Sequence, residues 1–121
     1  MTALVNKGFA CIQAGFYEQA IPPLNRVLAL DTNNTSARLN LAIACLRANR
    51  LEDSQRQYEL LQKSFPTASQ IYYGLGEIAW RKKDTNAAIR HYQLYLANAQ
   101  TNTVEAKTVF ERLKYLKPGA R

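Results

Sequence analysis

Displaced by 34 residues, the chain falls on itself: Gly8, Ala42 and Gly76 align, as do Ala20, Ser54 and Ala88, and Leu24, Tyr58 and Tyr92. Cys11, Cys45 and Ala79 keep the register with small side chains, Ile12, Leu46 and Trp80 keep it with apolar ones, and Leu41 falls with Leu75. A period of this length describes a unit that cannot bury its apolar face alone and is stable only against its neighbours. A stack of like units is therefore expected rather than a globular enzyme.

Each unit reads as two helices. Leu4, Gly8 and Cys11 follow a helical period, Gly15 supplies a left-handed stop, and Ala20, Ile21, Leu24, Val27 and Leu28 share one face of a second helix. Pro22 and Pro23 near the start of that helix predict strain or a kink. Unit two repeats the plan with Leu41, Ala42 and Cys45, a turn at Asn49, then Tyr58 and Leu61, closed by Pro66. Unit three carries Tyr72, Leu75, Gly76 and Ala79, an N-cap at Asp84 or Thr85, then Ala88, Ile89, Tyr92, Tyr95 and Leu96. From Thr103, Ala106, Val109, Phe110, Leu113 and Leu116 form the stripe of one further helix, ended by Lys117, Pro118 and Gly119. It suits a closing half-unit that shields the apolar side of the last repeat. The small residues at positions 8, 42 and 76 and at 20, 54 and 88 let paired helices approach, with Leu24, Tyr58 and Tyr92 filling the space beside them.

With these residues at this spacing the chain resembles the tetratricopeptide repeat family over nearly its whole length. Gly8 and Ala20 match the family signature in unit one, Leu41, Tyr58 (for Phe) and Pro66 in unit two, and Leu75, Gly76, Ala88 and Tyr92 (for Phe) in unit three. Leu4, Arg38 and Tyr72 depart from it in the tryptophan place, and Lys7 in the leucine place of unit one. The expected fold is all-α: a right-handed α-solenoid of antiparallel helix pairs with about seven helices. One domain over 1–121 is expected, with repeats at 1–34, 35–68 and 69–102, a capping helix at 103–117 and a tail at 118–121.

Of the 121 residues, 47% are apolar and 21% charged, which fits an ordered chain. No run of about 18 uncharged apolar residues is present to span a membrane, and the first ten residues lack the pattern of a signal peptide. A cytoplasmic or otherwise reducing location is compatible with the two cysteines, Cys11 and Cys45, which read as small buried hydrophobes too far apart in the stack for a disulfide. The sequence is equally compatible with a domain cut from a longer protein. The net charge of +7 favours acidic partners. Its 16 Lys and Arg are scattered except for the run Arg81, Lys82 and Lys83, and most read as a solvated surface.

Catalysis finds little support. His91 is the only histidine, which rules out a multi-histidine metal site and leaves no triad to assemble; an exposed helix position is expected for it. Gly74 and Gly76 lack the strand, third glycine and Lys-Ser/Thr of a phosphate loop. Asn33-Asn34-Thr35 and Asn34-Thr35-Ser36 fit a polar turn between units better than glycosylation. A non-enzymatic chain is expected, with no cofactor, metal or small-molecule substrate.

The informative constellation lies on the leading helices. Val5, Phe9 and Ile12 form a second apolar face, roughly 100° around from Leu4, Gly8 and Cys11. Shifted by the repeat, it becomes Leu39, Ile43 and Leu46, then Tyr73, Glu77 and Trp80, with Gln13, Arg47 and Arg81 at its margin. The family resemblance implies that this face lines a concave groove holding a partner peptide. The residues give that groove an apolar and aromatic character, a basic rim at Arg47 and Arg81, and a single acid at Glu77. Apolar anchors with an acidic group nearby are the expected ligand. Val5, Leu39 and Ile43 fit equally well as packing between neighbouring leading helices. The branch of the family that reads a C-terminal carboxylate is not expected, because its places hold Val5, Phe9, Asn40, Gln70 and Gly74, of which only Asn40 agrees. Self-assembly through the apolar face or the end of the stack is the second reading. Nucleic acid ranks third, because RNA-reading repeats need polar base contacts where these side chains are apolar.

Overall fold

The computed structural model describes residues 2–117, which form seven α-helices and no strand. These are α1 (Thr2–Gln13), α2 (Tyr17–Leu30), α3 (Thr35–Arg47), α4 (Leu51–Ser64), α5 (Ser69–Arg81), α6 (Thr85–Asn98) and α7 (Val104–Leu116). The expected leading helices are α1, α3 and α5, and the expected cap is α7; the tail at 118–121, with Pro118 and Gly119, lies outside the described residues. No helix among the described residues is long and apolar enough to cross a membrane. The chain forms two compact units, Met1–Ser64 and Phe65–Arg121.

The turn inside each hairpin is the same device used three times. Gly15 (φ 83°), Asn49 (φ 63°) and Lys83 (φ 61°) are left-handed. The following amides return to the helix five residues back: Phe16 N to Cys11 O (2.8 Å), Arg50 N to Cys45 O (2.7 Å) and Asp84 N to Ala79 O (2.9 Å). The left-handed residues themselves donate to Ile12, Leu46 and Trp80. Both bonds of a Schellman closure are thus present at each turn. Lysine is a poor occupant of this backbone region, since its Cβ crowds the following carbonyl. Lys83→Gly is therefore expected to stabilise the chain by about 0.5–1 kcal/mol in chemical denaturation; an unchanged midpoint counts against strain at this turn.

In the first unit, Gly8 lets α1 touch α2. A Cβ there would fall 2.6 Å from Leu24 Cγ, too close for any residue but glycine without movement of Leu24. Ala20, Leu24, Val27, Ala37, Leu41, Ala44 and Cys45 form the core, flanked by half-buried Leu4, Val5, Cys11, Ile12, Ile21 and Leu28. Ser54 occupies a small-residue column yet is fully buried, and its hydroxyl donates to Ala42 O at 2.8 Å. That bond removes the penalty of an orphaned hydroxyl. Arg38, in the tryptophan place, ties α3 to α4 by donating to Gln57 Oε1 (2.7 Å), and to the preceding loop through Thr32 O (2.6 Å).

Pro22 and Pro23 lie inside α2, which runs as one helix from Tyr17 to Leu30. The prolines withhold two amide donors, but Ala20, Leu24 and Val27 are buried on both sides of the pair and hold the helix to the core.

Cys11 and Cys45 are both free thiols, the first half-buried and the second buried. Burial, with Asp53 adding to it, pushes the Cys45 thiol up to about 11. At mildly alkaline pH, iodoacetamide should alkylate Cys11 while Cys45 stays protected until the unit unfolds, as read by mass spectrometry. Equal rates contradict this packing.

In the second unit, Gly76 does for α5 and α6 what Gly8 does for α1 and α2: a Cβ would meet the Tyr92 ring at 2.5 Å. Tyr72, also in the tryptophan place, donates from its hydroxyl to Pro66 O at 2.5 Å. Its ring stacks on His91, with centroids 6.4 Å apart. His91 is thus half-buried against Tyr72 rather than an exposed helix histidine. Asp84 caps α6 by accepting from Ala87 N (3.2 Å), and Thr103 caps α7 by accepting from Ala106 N (3.1 Å). Ala106 and Val109 are the fully buried residues of α7.

Candidate protein-interaction surface

In the first unit, α1 lies against α3, and each carries one of the expected second faces. Phe9 is its outward member, 49% exposed on α1. Val5 and Ile12, on the same face of α1, are half-buried and pack against the core. On α3, Leu39 and Ile43 are half-buried, Leu46 is buried, and Arg47 is exposed in the last turn. Such a surface is mainly apolar with a cation at its margin.

In the second unit the equivalent face of α5 is joined by α7. Tyr73 is half-buried with its ring 5.7 Å from Tyr95. Arg81 is exposed in the last turn, ahead of Lys82 and Lys83. Trp80 is half-buried: the Arg112 guanidinium lies 4.2 Å above its ring, and Tyr115 meets it edge-on at 5.5 Å. A cation over the indole face and an aromatic edge against it are both attractive placements for this ring. Trp80, Thr108, Glu111, Arg112 and Tyr115 line a cavity of about 460 Å³.

Glu77 departs from its expected place. It does not stand in the groove as a lone acid but is 8% exposed and turned onto three donors. Tyr92 donates its hydroxyl to Oε2 at 2.5 Å, while Arg112 donates Nε to Oε2 (3.2 Å) and Nη2 to Oε1 (3.1 Å). The fork-to-fork pairing answers the cost of burying a carboxylate. Burial, and then the hydrogen bond and charge of Glu77, push the Tyr92 phenol far above its ordinary range, so it serves only as a donor. Burial lowers the affinity of Arg112 for its proton, but the Glu77 hydrogen bond and charge outweigh it and the net direction is upward.

Thr108, Glu111, Arg112 and Tyr115 were not expected at this surface. The signal was available: a further 34-residue step from Phe9, Ile43 and Glu77 lands on Glu111, so the repeat runs on into α7 as one more leading helix. No cluster of three His, Cys, Asp or Glu side chains placed to hold a metal occurs among the described residues.

Two models of the tetratricopeptide repeat family match the chain, over residues 12–71 and 46–103. No curated protein matches it.

Proposed function

This chain belongs to the tetratricopeptide repeat family, whose repeats are generally protein–protein interaction modules, and from that premise we propose that it is a non-enzymatic module that holds a segment of a partner protein on its leading helices. The observation that carries the reading is the pairing of exposed and half-exposed aromatics, Phe9 in the first unit and Tyr73 and Trp80 in the second, on faces related by the repeat. Aromatic side chains with one wet edge are the usual anchors of an interface. In the first unit Leu39 and Ile43 widen the apolar surface and Arg47 gives it a basic margin; in the second Arg81 is the cation beside Trp80, and in each unit the charge favours a partner with acidic groups. Val5, Ile12 and Leu46 support the surface from beneath. Glu77 acts only through Arg112, and no longer contributes the free acid expected of it.

Trp80→Ala is expected to weaken partner binding by about 2 kcal/mol, measured by titration calorimetry. Because Trp80 also carries Arg112 and Tyr115, this substitution should loosen α7 as well. Phe9→Ala supplies the control: it touches a half-exposed ring and should weaken binding with little change in the denaturation midpoint. Unaltered affinity in both variants sinks the proposal. Self-assembly through the same apolar faces is the competing reading, and a mass by light scattering that stays monomeric at high concentration removes it.

A further inference from the structure

The cavity between α5 and α7 specifies more than an apolar contact. Its aromatic walls, Trp80 and Tyr115, stand at 69° to each other. Its volume of about 460 Å³ is room for one large side chain and the backbone beside it. Arg112 spends Nε and one N–H of Nη2 on Glu77, out of the five N–H groups of a guanidinium. The side chain is 29% exposed, and its guanidinium carries N–H groups beyond the two given to Glu77. A ligand cation is disfavoured here, because Arg112 stands over one indole face at 4.2 Å and repels a like charge. Residues 65–117 carry eight Lys and Arg against four Asp and Glu, and one of those acids is the paired Glu77. The field of this unit therefore draws an anion. Glu111 is the one unpaired acid lining the cavity; it sits about 100° around the helix from Arg112 and repels a carboxylate from its own side.

We propose that this cavity is an anchor pocket for an acidic segment of a partner protein, taking an aromatic side chain against Trp80 and Tyr115 and the neighbouring carboxylate on Arg112. The assignment rests on the partner-binding reading above and adds to it the kind of residue the second unit selects. Tyr115 is the specificity-determining wall, being 73% exposed and so removable without loss of core. Glu111 opposes binding, so its neutralisation should tighten it.

The test uses the whole chain, labelled with nitrogen-15, and three blocked tripeptides: Asp-Phe-Asp, Lys-Phe-Lys and Asp-Ala-Asp. The indole N–H of Trp80, the single tryptophan, gives a resolved reporter. Asp-Phe-Asp should shift that resonance together with the amides of Thr108, Arg112 and Tyr115, and should bind about ten-fold more tightly than either other peptide. Tyr115→Ala should remove that advantage with unchanged circular dichroism, and Glu111→Gln should increase affinity about two-fold or more. Equal response to Asp-Phe-Asp and Lys-Phe-Lys, or shifts that miss α7, overturns the pocket. If partner binding fails in Phe9→Ala and Trp80→Ala but ignores Tyr115→Ala, the pocket falls and the surface stands. If partner binding fails in Trp80→Ala and Tyr115→Ala but ignores Phe9→Ala, the wider surface falls and the pocket stands.

Discussion

Arg112→Ala should lower stability by about 3–5 kcal/mol, seen as a fall in the urea midpoint, because it strips the buried Glu77 carboxylate of its guanidinium partner. Glu77 would retain the Tyr92 hydroxyl but lose two charge-assisted bonds at 3.2 and 3.1 Å. The same truncation removes the cation from the Trp80 ring and one of the tethers holding α7 to α5. Most of the cost belongs to the orphaned carboxylate rather than to the pair itself. The triple substitution Glu77→Leu, Arg112→Met and Tyr92→Phe should therefore recover much of the loss, since apolar groups of similar volume often replace a buried ion pair without penalty and the buried hydroxyl that donates to Glu77 is removed with it. A triple variant as unstable as Arg112→Ala alone would show that the network stabilises in its own right.

Tyr92→Ala is the second large effect, also about 3–5 kcal/mol in the same measurement. Tyr92 is fully buried, and its ring fills the space that Gly76 leaves open by having no Cβ. Removing the ring leaves a cavity that the rigid α5 backbone cannot close. Tyr92→Phe keeps the ring and deletes only the hydroxyl donor to Glu77, so about 1–3 kcal/mol is expected. Adding Gly76→Ala to Tyr92→Ala should be neutral or favourable, whereas Gly76→Ala alone drives a Cβ to 2.5 Å from the ring and should destabilise. Equal losses in Tyr92→Phe and Tyr92→Ala would move the weight from packing to the hydrogen bond.

The repeat register was legible because small and large residues alternate at a fixed period: Gly8 against Leu24 and Gly76 against Tyr92 are contacts that the aligned columns foretell. The left-handed turns were legible at Gly15 and Asn49, whose residue types favour that backbone, and hidden at Lys83, whose type does not. There the period was the only guide. Pro22 and Pro23 argue locally against the helix that contains them, and burial of the residues around them overrides that preference. His91 reads as exposed until Tyr72, on the other helix of its hairpin, is brought over it. Glu77 misled for the same reason. Its column holds Phe9 and Ile43, which suggests an outward face, but its burial depends on Arg112, 35 residues away in a segment read only as a cap. Pairings of that kind leave no periodic trace, since they satisfy one buried charge once.

Site-directed photo-crosslinking tests the role of the leading helices most directly. Benzoylphenylalanine placed at Phe9 and Tyr73, on α1 and α5, should form adducts with a partner protein in host cells, whereas the same group at the exposed apolar positions Leu60 and Leu94, on α4 and α6, should not. Adducts of equal yield from Leu60 and Leu94, or adducts only with a second copy of the chain, would contradict it.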